Sequence, residues 1–133
     1  MANAMALRCG VDLVEIQRLE RLDPQIRQRF LRRVFTPLEL EEANEDLAVL
    51  AGRFAVKEAV AKALGCGIGP ISWQEIEVQR GPEGQPLLHL HGRAAERAAA
   101  LNLREWSVSI THTHTLAMAM VVALGPTGGE ESA

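Results

Sequence analysis

The chain has no tyrosine, and its aromatic residues amount to 4%: three Phe and two Trp. Rings cannot dominate the interior, so the core has to be built from Ala, Val, Leu and Ile. Cysteine is equally scarce. Cys9 and Cys66 are too few for a disulfide framework and lack metal-site spacing; free thiols fit a cytoplasmic protein. No hydrophobic run reaches the length of a membrane span, because the longest is interrupted by Arg53, Lys57, Glu58 and Lys62. Met1 to Ala6 is too short and too weakly apolar to read as a signal segment. Positive charge is not in excess: 14 basic against 17 acidic residues give a net charge of -3, which argues against general nucleic-acid binding. Internal repeats are absent.

What is present suits one domain: 133 residues, 47% hydrophobic. The run from Leu7 to Val14 reads as a strand. Asp23-Pro24 opens a helix to about Val34, with proline at the first helical position where its missing N–H costs nothing. Thr36-Pro37-Leu38-Glu39 is a second start signal, with Thr36 and Glu39 spaced as a capping box. A third helix runs from Asp46 to about Leu64, stopped by Gly65, Gly67, Gly69 and Pro70. Ile71 to Arg80 reads as a strand, Gly81 to Gly84 as a turn, and Leu87 to Leu90 as the return of a hairpin. Gly92 to Leu103 is an Ala-rich helix. Trp106–Thr111 and Leu116–Leu124 are the last strands, joined at Thr113-His114-Thr115. The expectation is one α+β domain over residues 1–124, with a mostly antiparallel sheet against a long central helix, and a disordered tail over 125–133.

Two acids stand in awkward places. Asp12 lies in the first strand, and Glu58 lies in a helix that is apolar in every sector. A carboxylate there loses solvation and needs a partner. Arg53, Lys57 and Lys62 are nearby; two carboxylates and a phosphate make a Mg²⁺ site, and the lysines suggest the phosphate. The bland readings stand beside this one. Glu58 and Lys62, four apart, also fit an ordinary surface pair, and Asp12 also fits an edge-strand acid facing water. Ala51, Ala55, Ala59 and Ala63 allow close approach along one helix face, and Gly10 allows it over Asp12. Between Arg18 and Arg33 six arginines meet only Glu20 and Asp23; such a patch draws an acidic partner. His89 and His91 alternate in the hairpin without a third ligand nearby and read as structural or solvent-facing. Gly65-Cys66-Gly67-Ile68-Gly69 is no P-loop, since it follows a helix and lacks the lysine ending.

Three segments together resemble the holo-[acyl-carrier-protein] synthase family, the small class of 4'-phosphopantetheinyl transferases. They are Gly10-Val11-Asp12 with Arg18 beyond it, Arg53-Phe54-Ala55-Val56-Lys57-Glu58-Ala59-Val60-Ala61-Lys62-Ala63-Leu64-Gly65, and Ser109-Ile110-Thr111-His112-Thr113. Phe35-Thr36-Pro37-Leu38-Glu39, Trp73 to Val78 and Gly84-Gln85-Pro86-Leu87 extend the match, which runs from about Leu7 to Leu124. Thr111 stands where the family often has Ser, and the hydroxyl survives.

The resemblance implies transfer of 4'-phosphopantetheine from coenzyme A to a serine of apo acyl carrier protein, releasing adenosine 3',5'-bisphosphate, within fatty acid biosynthesis. It implies Mg²⁺ on Asp12 and Glu58, and Lys62 on the pyrophosphate. Arg53, Lys57, Ser109 and Thr111 would take the remaining coenzyme A phosphates. His112 would bond the 3'-phosphate or hold its turn, and Gly65 would lie beside the cofactor. Arg18 and Arg21 would meet the acidic carrier. Family members are homotrimers with active sites at subunit boundaries. The rival classes are a non-catalytic carrier-binding module, which needs no acid pair, and a Mg²⁺-dependent phosphate hydrolase, which needs no arginine face.

Overall fold

The computed structural model describes residues 4–127. The chain opens with strand β1, Met5–Glu15, and closes with β4, Glu105–His112, and β5, Leu116–Pro126. These form one antiparallel sheet in the order β1-β5-β4. The hairpin β2, Ile76–Arg80, and β3, Pro86–Leu90, is a separate antiparallel pair. Between β1 and the hairpin lie the helices α1, Ile16–Glu20; α2, Pro24–Val34; α3, Pro37–Ala43; and α4, Leu47–Leu64; α5, Gly92–Ala100, precedes β4. The architecture is the expected α+β class. Its strands divide into two sheets, not one. Among the described residues no helix is long and apolar enough to cross a membrane.

The helix boundaries follow the capping chemistry. Asp46 Oδ1 accepts from the N–H of Ala48 at 2.9 Å, and Gly65 ends α4 at φ 75°, with its N–H on Ala61 and Lys62 carbonyls. Thr36 and Glu39 form the full capping box of α3. Three expectations shift. The helix α1 was not foreseen; Ile16 and Leu19 bury its inner side, and the N–H of Ile16 bonds the carbonyl of Thr115. The strand expected from Ile71 begins only at Ile76, because Ser72 and Glu75 cap a 3₁₀ turn over Trp73–Glu75. The helix expected to Leu103 ends at Ala100, because Asn102 adopts φ 58° and the N–H of Leu103 reaches back to Ala98.

The expected tail boundary also moves. β5 continues to Pro126, and Gly125 packs so closely on the Asn102 carbonyl that a Cβ there would lie 1.5 Å from its oxygen. Residues 128–133 of the expected tail lie outside the described residues.

α4 lies on the inner face of the large sheet. Ala55, Ala59, Val60 and Ala63 meet Ala119, Val121 and Ala123 in one cluster of small residues. A second cluster, around Val34, Phe35 and Leu50, fastens α2 and α3 to the other side of α4. The outer face of the sheet stays bare: Leu7, Val11, Leu13, Met118 and Met120 are all exposed.

Candidate active site

Alternation along β1 turns Gly10, Asp12 and Val14 inward and Cys9, Val11 and Leu13 outward. Gly10 is where α4 comes closest. A Cβ there would stand 1.9 Å from the carbonyl oxygen of Ala59, so only glycine admits this approach. Ala59 follows Glu58, and Asp12 lies two residues beyond Gly10. The same contact therefore brings the two acids to one place. Asp12, Glu58 and Arg18 line a common cleft of about 450 Å³, whose apolar wall includes Leu22, Phe30 and Phe54.

Burial raises the pKa of Glu58 first, and the Asp12 charge raises it further; Lys62 opposes both. The Lys62 Nζ donates to Asp12 Oδ1 at 3.1 Å and to the Val11 carbonyl at 2.9 Å, while its side chain stays 57% exposed. Two like charges thus face one cleft, with an exposed cation bonded to Asp12 beside it.

The structure assigns two other cations differently from the sequence reading. Lys57 is wholly buried, not turned to a ligand. Its Nζ sits 2.8 Å from Glu39 Oε1 and donates to the carbonyls of Trp73 and Ile76, over the Phe35 ring. Burial lowers its pKa, and Glu39 and Glu77 counter that. Arg53 is also buried; it donates to Glu42 Oε1 at 2.9 Å and to the Glu39 carbonyl. In this chain fold both are core ties.

The third motif lies elsewhere. Ser109 pairs with Met120 and shares its outward orientation, as Thr111 shares that of Met118. Both hydroxyls therefore stand on the sheet face opposite Asp12. His112 borders a different cleft, with Glu45, Asp46 and His114, and its Nδ1 lies 3.3 Å from the Thr113 carbonyl. Gly65 stands at the end of α4 near Arg8, beyond Lys62. Arg21 bonds Gln17 on α1 and does not line the cleft. Of the hairpin histidines, His91 bonds Glu77 at 3.0 Å. Phe30 and Phe54 line the cleft although neither was named a site residue; Phe54, one turn before Glu58 on α4, was the available signal.

A sequence model of the 4'-phosphopantetheinyl transferase superfamily matches residues 8–119. The chain belongs to this superfamily. The holo-[acyl-carrier-protein] synthase of Herpetosiphon aurantiacus is 46% identical over 123 residues, spanning 87% of this chain and 97% of that protein. The Moorella thermoacetica synthase is 47% identical over 109 residues, spanning 80% and 84%. The crystal structure of Helicobacter pylori holo-[acyl-carrier-protein] synthase in complex with coenzyme A superposes with a TM-score of 0.78 at 34% identity, covering 86% of this chain and 98% of that one. As a phosphopantetheinyl transferase of the holo-[acyl-carrier-protein] synthase kind, the protein is an enzyme. Its mixed α+β fold with an antiparallel sheet is the fold of those relatives.

Proposed function

We propose that this phosphopantetheinyl transferase uses Mg²⁺ held by Asp12 and Glu58 to move 4'-phosphopantetheine from coenzyme A to a serine of apo acyl carrier protein, releasing adenosine 3',5'-bisphosphate. The observation that carries the reading is the convergence of Asp12, Glu58 and Lys62 on a cleft that Arg18 also borders. Relatives crystallised with coenzyme A, from Helicobacter pylori and Bacillus anthracis, support the donor.

The donor set fits Mg²⁺. Among the described residues no group of three or more His, Cys, Asp or Glu stands ready to hold a metal alone. Mg²⁺ asks for less: one or two carboxylates, with phosphate oxygens and water completing the octahedron. Burial, and after it the Asp12 charge, makes the Glu58 anion poorly stabilised where it stands, and a dication would relieve that. When bound, Mg²⁺ neutralises the pyrophosphate and makes its phosphorus easier to attack.

Asp12 and Glu58 fix where the pyrophosphate lies. Lys62 reaches the cleft from the next turn of α4 and bonds a pyrophosphate oxygen as a point charge. The apolar wall of Leu22, Phe30 and Phe54 limits water on the Glu58 side. The carrier serine gives its proton to a carboxylate oxygen or a water of the cleft. Its Oγ bonds the β-phosphorus, the bond from that phosphorus to the bridging oxygen breaks, and the bridging oxygen leaves on the nucleotide. Arg18 on α1 and Arg21 just past its end, both exposed, meet the acidic carrier.

Ser109 and Thr111 reach a donor phosphate only if another copy brings its cleft to them, because they stand on the far face of the sheet. That face exposes Leu7, Val11, Leu13, Met118 and Met120, an apolar area suited to burial against further copies. A homotrimer with boundary sites accounts for both facts.

The test combines the protein with coenzyme A, Mg²⁺ and apo carrier. The expected result is a carrier heavier by one phosphopantetheine, one equivalent of adenosine 3',5'-bisphosphate, and no product after chelation. Nucleotide release without carrier modification would overturn the transfer; full rate in chelator would overturn the metal.

A further inference from the structure

We propose that the buried pair Lys57 and Glu39 is a positioning device: it fixes the rotation and register of α4, and so holds Glu58 opposite Asp12. This rests on the reading of those two acids as the metal pair. The need for such a device follows from α4 itself. Twelve of its eighteen residues are buried, on all sides but the one that carries Phe54, Glu58 and Lys62. Where most of the buried surface is Ala, Val and Leu, neighbouring rotations gain similar burial, so apolar packing alone orients the helix poorly. The close contact at Gly10 fixes the separation of α4 from β1, but a backbone-to-backbone contact constrains rotation weakly.

The polar node supplies what packing lacks. An ammonium has three donors, and here Glu39, the Trp73 carbonyl and the Ile76 carbonyl take all three. Glu39 is equally committed. Its Oε1 also accepts from the N–H of Thr36 at 2.9 Å, and its Oε2 accepts from the N–H of Val78 at 2.7 Å. Arg53, one turn back on α4, adds a bond to the Glu39 carbonyl. One charge pair thus ties α4 to the start of α3 and to β2. A one-residue slip of α4 turns Lys57 by about 100° and strands two charges in the core, the outcome proteins tolerate least. Glu58 follows Lys57 directly, so whatever holds Lys57 also sets the bearing of Glu58.

The measurement is Mn²⁺ affinity by calorimetry in the presence of coenzyme A, with thermal melting alongside. The double variant Glu39→Gln/Lys57→Met removes both charges at similar volume. It is expected to melt cooperatively and to bind Mn²⁺ about 10-fold or more weaker, the size of loss typical when a group supporting a metal ligand is removed. Its half-maximal Mg²⁺ concentration should rise in step, with the carrier KM unchanged. Wild-type Mn²⁺ affinity in the folded double variant would reduce the pair to a core filler. Weaker coenzyme A binding with Mn²⁺ affinity unchanged would instead make Lys57 a phosphate contact. Should the double variant not fold, Glu39→Asp decides: it keeps the charge and shortens its reach, and unaltered Mn²⁺ binding there overturns the proposal. Asp12→Asn separates the two layers, since undiminished Mn²⁺ binding in that variant defeats the metal reading itself.

Discussion

Lys57 and Glu58 are neighbours in sequence and opposites in environment, one sealed in the core and the other on the cleft wall. Glu58 is held there against its own solvation, which leads to an unusual expectation. Glu58→Gln should lower turnover at least 100-fold, yet raise the melting temperature of the metal-free protein. The sign follows from linkage. The folded pKa of Glu58 lies above its ordinary value of 4.5, so its ionisation costs stability as pH rises through that folded value. The glutamine variant escapes this cost. Its advantage should be absent below about pH 4.5, grow across the raised pKa and level off above it. Because the site is partly solvated and Lys62 screens it, the gain is a few °C at most. Melting curves at pH 4 and pH 7.5 check this; a loss of stability at pH 7.5 contradicts it. Sequence alone set Asp12, Glu58 and Lys62 together, and within this chain they stand close; it named Lys57 and Arg53 as phosphate contacts, and within this chain both are buried against acids. Charge and spacing are written in one dimension. Whether a cation in an all-apolar helix points at a ligand or at Glu39, which precedes it by 18 positions, depends on a tertiary contact.

At the level of elements, local chemistry was the legible part. The caps at Asp23, Thr36, Asp46 and Gly65 are where their sequence patterns place them, because each is closed by a hydrogen bond within a few residues. The pairing of β2 with β3 was legible from the Gly81–Gly84 turn between two strand-like runs; that this pair stands apart from β1, β4 and β5 was not, because no local signal states which strands share a sheet. The β1–α4 contact lies between these cases: glycine at position 10 announced a close approach but not its partner. Gly10→Ala should destabilise the fold by at least about 1–3 kcal/mol, as overpacking does, and should also raise the half-maximal Mg²⁺ concentration, because the strand must retreat from Ala59 with Asp12 on it. Asp46→Ala is the contrasting case. Losing the cap bonds to Ala48 and Val49 costs about 1 kcal/mol, with kcat unaffected at temperatures where the variant is folded. Denaturant titrations paired with Mg²⁺-dependence curves distinguish the two; a Gly10→Ala protein with ordinary stability would show that the contact is soft.

For the whole molecule the question is which face of the sheet does what. Asp12 and its cleft belong to the inner face, whereas Ser109, Thr111 and the exposed apolar row belong to the outer one. Met120 stands between Val11 and Ser109 in the register. A lysine there puts a charge amid the surface proposed to close the trimer. Met120→Lys should sediment as a monomer, melt cooperatively and lose transfer activity, although it alters nothing in the Asp12 cleft. A sharper test mixes defects. If a cleft from one copy works with hydroxyls from the next, Asp12→Ala and the double variant Ser109→Ala/Thr111→Ala should each be nearly inactive alone. Co-expressed and purified as mixed trimers, they should recover up to about a quarter of the sites, because in a closed ring of randomly mixed subunits that share of boundaries unites an intact cleft with intact hydroxyls. A mixture no more active than its parents would overturn the shared boundary site.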